Sequence, residues 1–138
     1  MIKLIIGNKG SGKTKKLIDQ VNVCVESSDG NVVCIEKEPK LTYDVSSKAR
    51  LLETETYLIN GHKAFYGFLA GICAGNYDVT DVLVDATFKI VGREYKKLPQ
   101  FFEMLSQLSE ATDVNFYFTI SCDKEDLPVE IFDYCEEL

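Results

Sequence analysis

The chain has 138 residues, of which 46% are hydrophobic, and 22 acidic against 15 basic side chains give a formal net charge of −7. This length fits a single domain, residues 1–138, with a core of its own, and the composition excludes disordered and fibrous proteins. The acidic balance argues against a broad nucleic-acid-binding surface and against capture by an anionic membrane. Five lysines and no acid fall in residues 1–18, however, so we expect a local anion site near the N-terminus.

Strand-like and helix-like periods alternate along the chain. Met1–Ile6 and Asn31–Glu36 are apolar runs typical of buried strands. Between them a helical stripe begins at Lys13, and its apolar positions are Leu17, Ile18, Val21, Cys24 and Val25. The remaining segments are predicted in chain order as a loop at Lys37–Lys48, a helical turn at Ala49–Leu52, a strand at Thr54–Ile59, a helix at His62–Asn76, a strand at Asp81–Asp85, a helix from about Pro99, a strand at Val114–Ile120 and a helix at Pro128–Leu138.

Strands that alternate with helices of 10–15 residues indicate βαβ units. Such units favour an α/β fold with a mostly parallel central sheet, covered by helices on both faces as a three-layer α/β/α sandwich. Nearly all the predicted strands are apolar, as expected for parallel strands that are buried on both sides.

Cysteine usage and apolar segments indicate the compartment. The chain has five cysteines, an odd number, with no C-x-x-C pair, so we expect reduced and mostly buried thiols. Met1–Ile6 is too short for a secretory signal, and the longest apolar stretch, Ala64–Ala74, is too short to span a bilayer. We therefore expect a soluble, cytoplasmic protein.

One motif carries chemistry. The first strand is followed at once by G-x-x-x-x-G-K-[ST], here Gly7, Asn8, Lys9, Gly10, Ser11, Gly12, Lys13 and Thr14. Glycines permit a tight loop whose N–H groups surround a phosphate, and the following helix presents its positive end to the same anion. Lys13 is then suited to contact the β- and γ-phosphates, and the Thr14 hydroxyl to ligate Mg²⁺.

These residues resemble the Walker A motif of the P-loop NTPase superfamily, and the order of elements looks most like its RecA-like and thymidine-kinase-like branch. The resemblance implies ATP and Mg²⁺ as ligands. It also implies a Mg²⁺-binding acid after an apolar strand, a role that Asp85 fits at the end of Val82–Asp85. Ser121, at the end of the next strand, corresponds to the polar residue that RecA-like members often direct at the γ-phosphate.

The sequence also departs from that family pattern. Hydrolytic members and thymidine kinases usually place a glutamate directly after the aspartate, where this chain has Ala86. The zinc lobe and the substrate lasso of thymidine kinases are not visible either. Glu36, Glu38 and Glu94 are candidate substitutes for the missing carboxylate, and Arg93 is a candidate phosphate ligand, although solvated loop charges are the preferred interpretation of these residues.

Two further features leave alternatives open. Gly67, Gly71 and Gly75 recur every four residues on an apolar helix, and we expect close packing within the domain rather than a contact with a second chain. GTPases read guanine with an N-K-x-D pattern. Here Ser121–Lys124 occupies its position without matching it, and this favours ATP over GTP.

Three functions remain open from the sequence. The first is an ATP-binding P-loop protein with weak or partner-dependent hydrolysis of the nucleotide triphosphate. The second is a small-molecule kinase acting on a nucleoside-type acceptor. The third is a non-catalytic nucleotide sensor or assembly subunit, with a protein partner or a homo-oligomer implied. Whether the chain is an enzyme is left open.

Overall fold

A sheet of six parallel strands forms the centre of the protein, which we describe from a computed structural model covering residues 1–138. The strand order across the sheet is β3-β2-β4-β5-β1-β6. The strands are β1 (Ile2–Gly7), β2 (Asn31–Glu36), β3 (Arg50–Glu53), β4 (Val79–Val84), β5 (Asn115–Ser121) and β6 (Glu136–Glu137). Every neighbouring pair is parallel, as in β1 and β5, where Gly7 is aligned with Ser121.

Helices pack against both faces of this sheet. They are α1 (Lys13–Ser27), α2 (His62–Gly75), the short α3 (Thr87–Val91) and α4 (Leu98–Thr112), with 3₁₀ turns at Thr54–Tyr57, Tyr95–Lys97, Lys124–Asp126 and Val129–Asp133. The connection from β1 to β2 runs across the sheet in one direction, and the connections from β3 to β4 and from β4 to β5 run in the other. Right-handed crossovers therefore place α1 on one face and α2 and α4 on the opposite face.

Alternating strand residues build a separate core on each face. On one side α1 packs through Leu17 and Val21 on strand residues that include Leu83. On the other side a larger, phenylalanine-rich core joins α2 and α4 to strand residues that include Phe118. The α/β class is confirmed, and helices on both sides of an all-parallel sheet are compatible with a three-layer sandwich.

Two predictions for the segment after the loop at residues 37–48 are wrong. Arg50–Glu53 is a strand rather than a helical turn, because it pairs with β2 at the edge of the sheet. The following Thr54–Tyr57 is a 3₁₀ turn rather than a strand, and it ends at Leu58, which has a φ of 57° and an 89% exposed side chain. Long-range pairing with β2 thus determines the structure here, over the local pattern.

The predicted C-terminal helix at Pro128–Leu138 is also wrong. A 3₁₀ turn at Val129–Asp133 is followed by β6, which pairs with Lys3 and Leu4 of β1. The Leu138 N–H donates a hydrogen bond to the Leu4 carbonyl at 2.8 Å. Ile131 and Cys135 are buried as a helix would bury them, but the backbone that joins them completes the sheet instead.

All five cysteines are free and buried, as predicted. Burial raises the pKa of the Cys34 thiol to about 12, so this side chain stays protonated at neutral pH.

The prediction for the glycines of α2 is wrong. Gly67, Gly71 and Gly75 are exposed, and a Cβ added at any of them would meet no atom within 4 Å. The buried face of α2 is instead formed by large residues such as Phe65 and Leu69. No helix of the protein is both long enough and apolar enough to cross a membrane.

Candidate functional site

The carboxyl ends of the parallel strands meet at one edge of the sheet, where α/β proteins bind their ligands. The glycine-rich loop leaves β1 at this edge, and Asp85 follows β4 there. The connection from β1 passes over the α1 face towards β2, whereas the connection from β5 leads in the opposite direction to β6. The crevice between β1 and β5 is therefore a topological switch point of the kind that binds ligands.

Glycine is required at several positions of the loop between β1 and α1. Gly10 and Gly12 have φ angles of 87° and 85°, in the left-handed region that other residues rarely adopt. A Cβ on Gly7 would collide with the side chain of Ser11. The loop thus turns back sharply on itself before α1 begins.

The N-terminus of α1 opens into the same loop. Its first intrahelical hydrogen bond runs from the Lys16 N–H to the Gly12 carbonyl at 3.1 Å. The N–H groups of Lys13, Thr14 and Lys15 precede that bond, so they have no partner within the helix and carry the positive end of the helix dipole. This end of α1 is suited to bind an anion.

Asn8 holds the loop in shape. Its carbonyl accepts hydrogen bonds from the Lys13 ammonium at 3.0 Å and from the Ser11 N–H at 3.1 Å. Its side-chain amide donates to the Asp123 carboxylate at 2.6 Å. The loop is therefore tied both to its own lysine and to the segment that follows β5.

Thr14 and Asp85 meet although 71 positions separate them in the chain. The Thr14 hydroxyl oxygen lies 3.2 Å from each carboxylate oxygen of Asp85. The structure thus brings together the two residues that the sequence proposes for Mg²⁺. Both offer oxygen ligands, which Mg²⁺ prefers, and few protein ligands suffice because Mg²⁺ keeps several waters and substrate oxygens. No group of three or more His, Cys, Asp or Glu side chains forms a fuller metal cage.

Thr119 is a site residue that the sequence analysis missed. Its hydroxyl donates to Asp85 Oδ1 at 2.8 Å and accepts the Ala86 N–H at 2.7 Å. The side chain is buried, and the register of Val84 opposite Phe118 aligns Asp85 with Thr119 on the neighbouring strand. Strand alternation directs both to the α1 face, and this signal was present in the sequence once the pairing of β4 with β5 was assumed.

Ala86, directly after Asp85, has a left-handed backbone with a φ of 52° and a ψ of 54°. For a residue with a Cβ this conformation costs about 1 kcal/mol, and such residues cluster at functional sites. The turn at Ala86 leads from the end of β4 into α3.

A cleft of about 600 Å³ lies between the loop and α3. Its lining includes six cationic side chains and one carboxylate, that of Asp85. The cations are Lys9, Lys13, Lys15, Lys40, Lys89 and Arg93. A strongly positive cleft in a protein whose net charge is −7 is suited to binding a polyanion.

Ser121 lines this cleft, and its backbone carbonyl accepts a hydrogen bond from Arg93 at 2.9 Å. The contact with Asp85 is made by the Thr119 hydroxyl, two residues earlier on the same strand. The Arg93 guanidinium also lies 5.2 Å from the centre of the Phe88 ring. Arg93 is exposed in the loop after α3, as the preferred interpretation expects, and these two contacts hold its guanidinium at the cleft.

None of the three glutamates considered as substitute carboxylates lines the cleft, and each has a partner within the protein. Glu36 is buried, and its carboxylate accepts the N–H groups of Lys40 at 3.0 Å and Leu41 at 3.3 Å. Burial raises the pKa of Glu36, an effect that these two N–H groups partly offset. Glu38 pairs with Lys40 at 3.2 Å, and Glu94 pairs with Lys97 at 3.4 Å.

A second cleft, of about 620 Å³, opens at the start of α2 and contains His62 in its wall. His62 is the only histidine, and it packs edge-on against Phe101 with its Nε2 buried and without a hydrogen-bond partner. Burial lowers the pKa of His62, with a further contribution from Lys97. The imidazole is therefore neutral at physiological pH.

No protein-family model matches the chain, and no curated protein sequence matches it. A function can therefore be inferred only from the cleft and from the motif that forms one of its walls.

Proposed function

We propose that this protein binds Mg-ATP through a P-loop at Gly7–Thr14 and hydrolyses it weakly or only with a partner. The observation that carries the proposal is the contact of Thr14 with Asp85, at 3.2 Å, beside the free N–H groups of α1. Phosphoryl transfer depends chiefly on positioning and on neutralising charge, and these residues provide both.

The charges of the cleft support a triphosphate as the ligand. Lys9, Lys13 and Lys15 surround the start of α1, where the helix dipole adds to their attraction. In this proposal the Lys13 ammonium exchanges its bond to the Asn8 carbonyl for a bond to a phosphate oxygen. Thr14 and Asp85 would hold the Mg²⁺ that bridges the phosphates and neutralises their charge.

The carboxylates near the cleft support slow hydrolysis. Asp85 is the only acid in the lining, and its oxygens already face the hydroxyls of Thr14 and Thr119. Ala86 offers no base, and Glu36 is occupied by backbone N–H groups. A water molecule at the γ-phosphate would therefore lack a general base unless a partner supplied one.

Thermal unfolding with and without millimolar ATP and Mg²⁺ tests the proposal. Nucleotide at about 100 times its dissociation constant adds about 2.7 kcal/mol, which for a domain of this size raises Tm by about 9 °C. We expect this rise in the wild type and in Lys48→Ala, whose exposed lysine lies outside the cleft, and its loss in Lys13→Ala. An equal rise in Lys13→Ala, or none in the wild type, would contradict nucleotide binding by the loop.

A small-molecule kinase is the second candidate, because the cleft carries more positive charge than the loop region alone supplies. Lys40, Lys89 and Arg93 line it in addition to the lysines of the loop and α1. Transfer of labelled phosphate from ATP to a nucleoside, rather than to water, would favour this function over hydrolysis. Nucleotide binding without any turnover would instead favour a sensor or an assembly subunit.

A further inference from the structure

The cleft has a second positive wall, formed by Lys40, Lys89 and Arg93, which we call the far wall. Lys40 belongs to the loop that follows β2, and β2 is three strands away from β1 in the sheet. With neighbouring parallel strands about 4.8 Å apart, the end of β2 lies about 14 Å from the end of β1. The phosphates held by the P-loop would lie over β1 and β5, so Lys40 lies beyond them, while Arg93, which is bonded to the Ser121 carbonyl at the end of β5, lies at their edge.

The backbone that carries Lys40 is fixed. The buried Glu36 carboxylate accepts the N–H groups of Lys40 and Leu41, at 3.0 and 3.3 Å. The Leu41 side chain is itself buried in the core beneath α1. The turn after β2 is therefore anchored from both sides, and Lys40 starts from a defined position.

Arg93 is fixed as well. Its guanidinium donates to the Ser121 carbonyl at 2.9 Å and stacks on the Phe88 ring at 5.2 Å. This bond uses one of the five guanidinium N–H groups, and the others remain available to an anion.

The charges of the far wall are only partly neutralised within the protein. Lys40 forms an exposed ion pair with Glu38 at 3.2 Å, whereas Lys89 and Arg93 form no ion pair. The nearby Lys40 side chain lowers the pKa of Lys89. Two adjacent ammonium groups repel one another, and a bound anion would relieve that repulsion.

We propose that the far wall binds the phosphate group of a second, small phosphorylated molecule next to the nucleotide. This inference rests on the proposed function for the nucleotide itself. A phosphate dianion is complementary in charge to two ammonium groups and a guanidinium group that line the same cleft. The second ligand would thus be an anionic acceptor or effector, rather than an uncharged nucleoside.

Calorimetric titration of inorganic phosphate tests this inference, using protein saturated with Mg²⁺ and a non-hydrolysable ATP analogue so that the P-loop is occupied. We expect phosphate to bind the loaded wild type. The affinity should fall at least threefold in Lys40→Gln and in Lys89→Gln and at least tenfold in the double variant, because each charge-assisted contact is lost. Lys48→Gln, which removes an exposed lysine outside the cleft, should leave phosphate affinity unchanged. Affinity for the ATP analogue should change less than threefold in all of these variants.

Several outcomes would overturn the inference. The first is that phosphate fails to bind the loaded protein. The second is that the far-wall substitutions weaken the nucleotide as much as the phosphate, which would assign these cations to the triphosphate. The third is that a single-stranded oligonucleotide binds more tightly than phosphate and is lost in the same variants, which would assign the wall to a nucleic-acid backbone.

Failure of the proposed nucleotide function gives a different pattern. In that case the ATP analogue itself does not bind the wild type. Phosphate titrated into nucleotide-free Lys13→Ala protein then still tests the far wall. Binding that is sensitive to Lys40 and Lys89 would support it, and absence of binding would overturn it.

Discussion

Replacing Thr119 by valine should destabilise the protein although it leaves the volume of the side chain nearly unchanged. The hydroxyl donates to Asp85 at 2.8 Å and accepts the Ala86 N–H at 2.7 Å, in a residue that is 1% exposed. Valine can do neither, so a carboxylate loses a donor and a partly buried N–H loses its acceptor. A hydrogen bond to a charged group contributes about 1.5–3 kcal/mol, and an unsatisfied buried donor costs about 1–3 kcal/mol. Since the two effects share one hydroxyl and are not additive, we expect a loss of about 2–4 kcal/mol.

Urea unfolding followed by circular dichroism measures this loss as a lower midpoint with an unchanged slope. Thr119→Ser keeps the hydroxyl and should lose only about 1 kcal/mol for the missing methyl group. Thr112→Val is the matched control, because the exposed Thr112 hydroxyl bonds only to the Leu108 carbonyl of its own helix, and we expect a change within about 0.5 kcal/mol. If Thr119→Val lowered the free energy of unfolding by less than about 1 kcal/mol, the Thr119 hydroxyl would not stabilise Asp85 in the folded protein.

Three further results are expected. Gly71→Ala should stabilise the protein by about 0.5–1 kcal/mol in urea unfolding, because the added Cβ meets no atom and the unfolded chain loses conformational entropy. A loss of stability would instead mean that this face of α2 is covered in solution. Burial holds the pKa of His62 below its ordinary value, so the unfolded state binds more protons and the free energy of unfolding should decrease as the pH falls below about 6.5. This pH slope, measured by urea titration at several pH values, should be shallower in His62→Phe, and equal slopes would contradict the assignment. Burial of all five thiols predicts that none reacts with a thiol reagent in minutes until denaturant is added, and rapid labelling of the native protein would show that one is accessible.

The elements with a clear local period could be predicted from the sequence. The stripe of Leu17, Val21 and Cys24 identifies α1 because a helix must bury one face, and these three residues are its buried ones. The apolar runs that became β1, β2 and β5 were equally clear, because strands buried on both faces are apolar throughout. In these elements the local pattern and the tertiary environment agree.

The two edge strands were missed because their structure depends on distant partners. Arg50–Glu53 becomes a strand by pairing with β2, and Glu136–Glu137 by pairing with β1. Each is short, and neither carries the β-branched alternation that identifies a strand locally. Hydrogen bonds to a neighbouring strand that lies far away in the chain decide both cases.

The residues of the candidate site likewise fall into those that the sequence alone predicts and those that only the folded structure reveals. The glycine-rich loop is contiguous, so its residues could be listed from the motif alone. Asp85 could be proposed because it ends an apolar strand. Thr119 could be proposed only once the pairing of β4 with β5 was assumed, because strand register brings it to Asp85. Lys40 could not be proposed, because the folding of the turn after β2 brings it to the cleft.

Buried polar atoms without a hydrogen-bond partner, and one strained backbone conformation, lie at the edge of the sheet where the carboxyl ends of the strands meet. Three buried side-chain atoms lack a hydrogen-bond partner, and they belong to Thr54, His62 and Thr87. Thr54 directly follows β3, His62 begins the helix after it, and Thr87 lies just beyond Asp85. Ala86, with its left-handed backbone, lies between Asp85 and Thr87. An unpartnered buried polar group costs about 1–3 kcal/mol, which selection for stability alone would tend to remove. Ala86 lines the cleft that holds Asp85 and Thr87 follows it, whereas His62 lines the second cleft. Departures of this kind are typical of functional sites, so they add to the interest of this edge of the sheet independently of the motif.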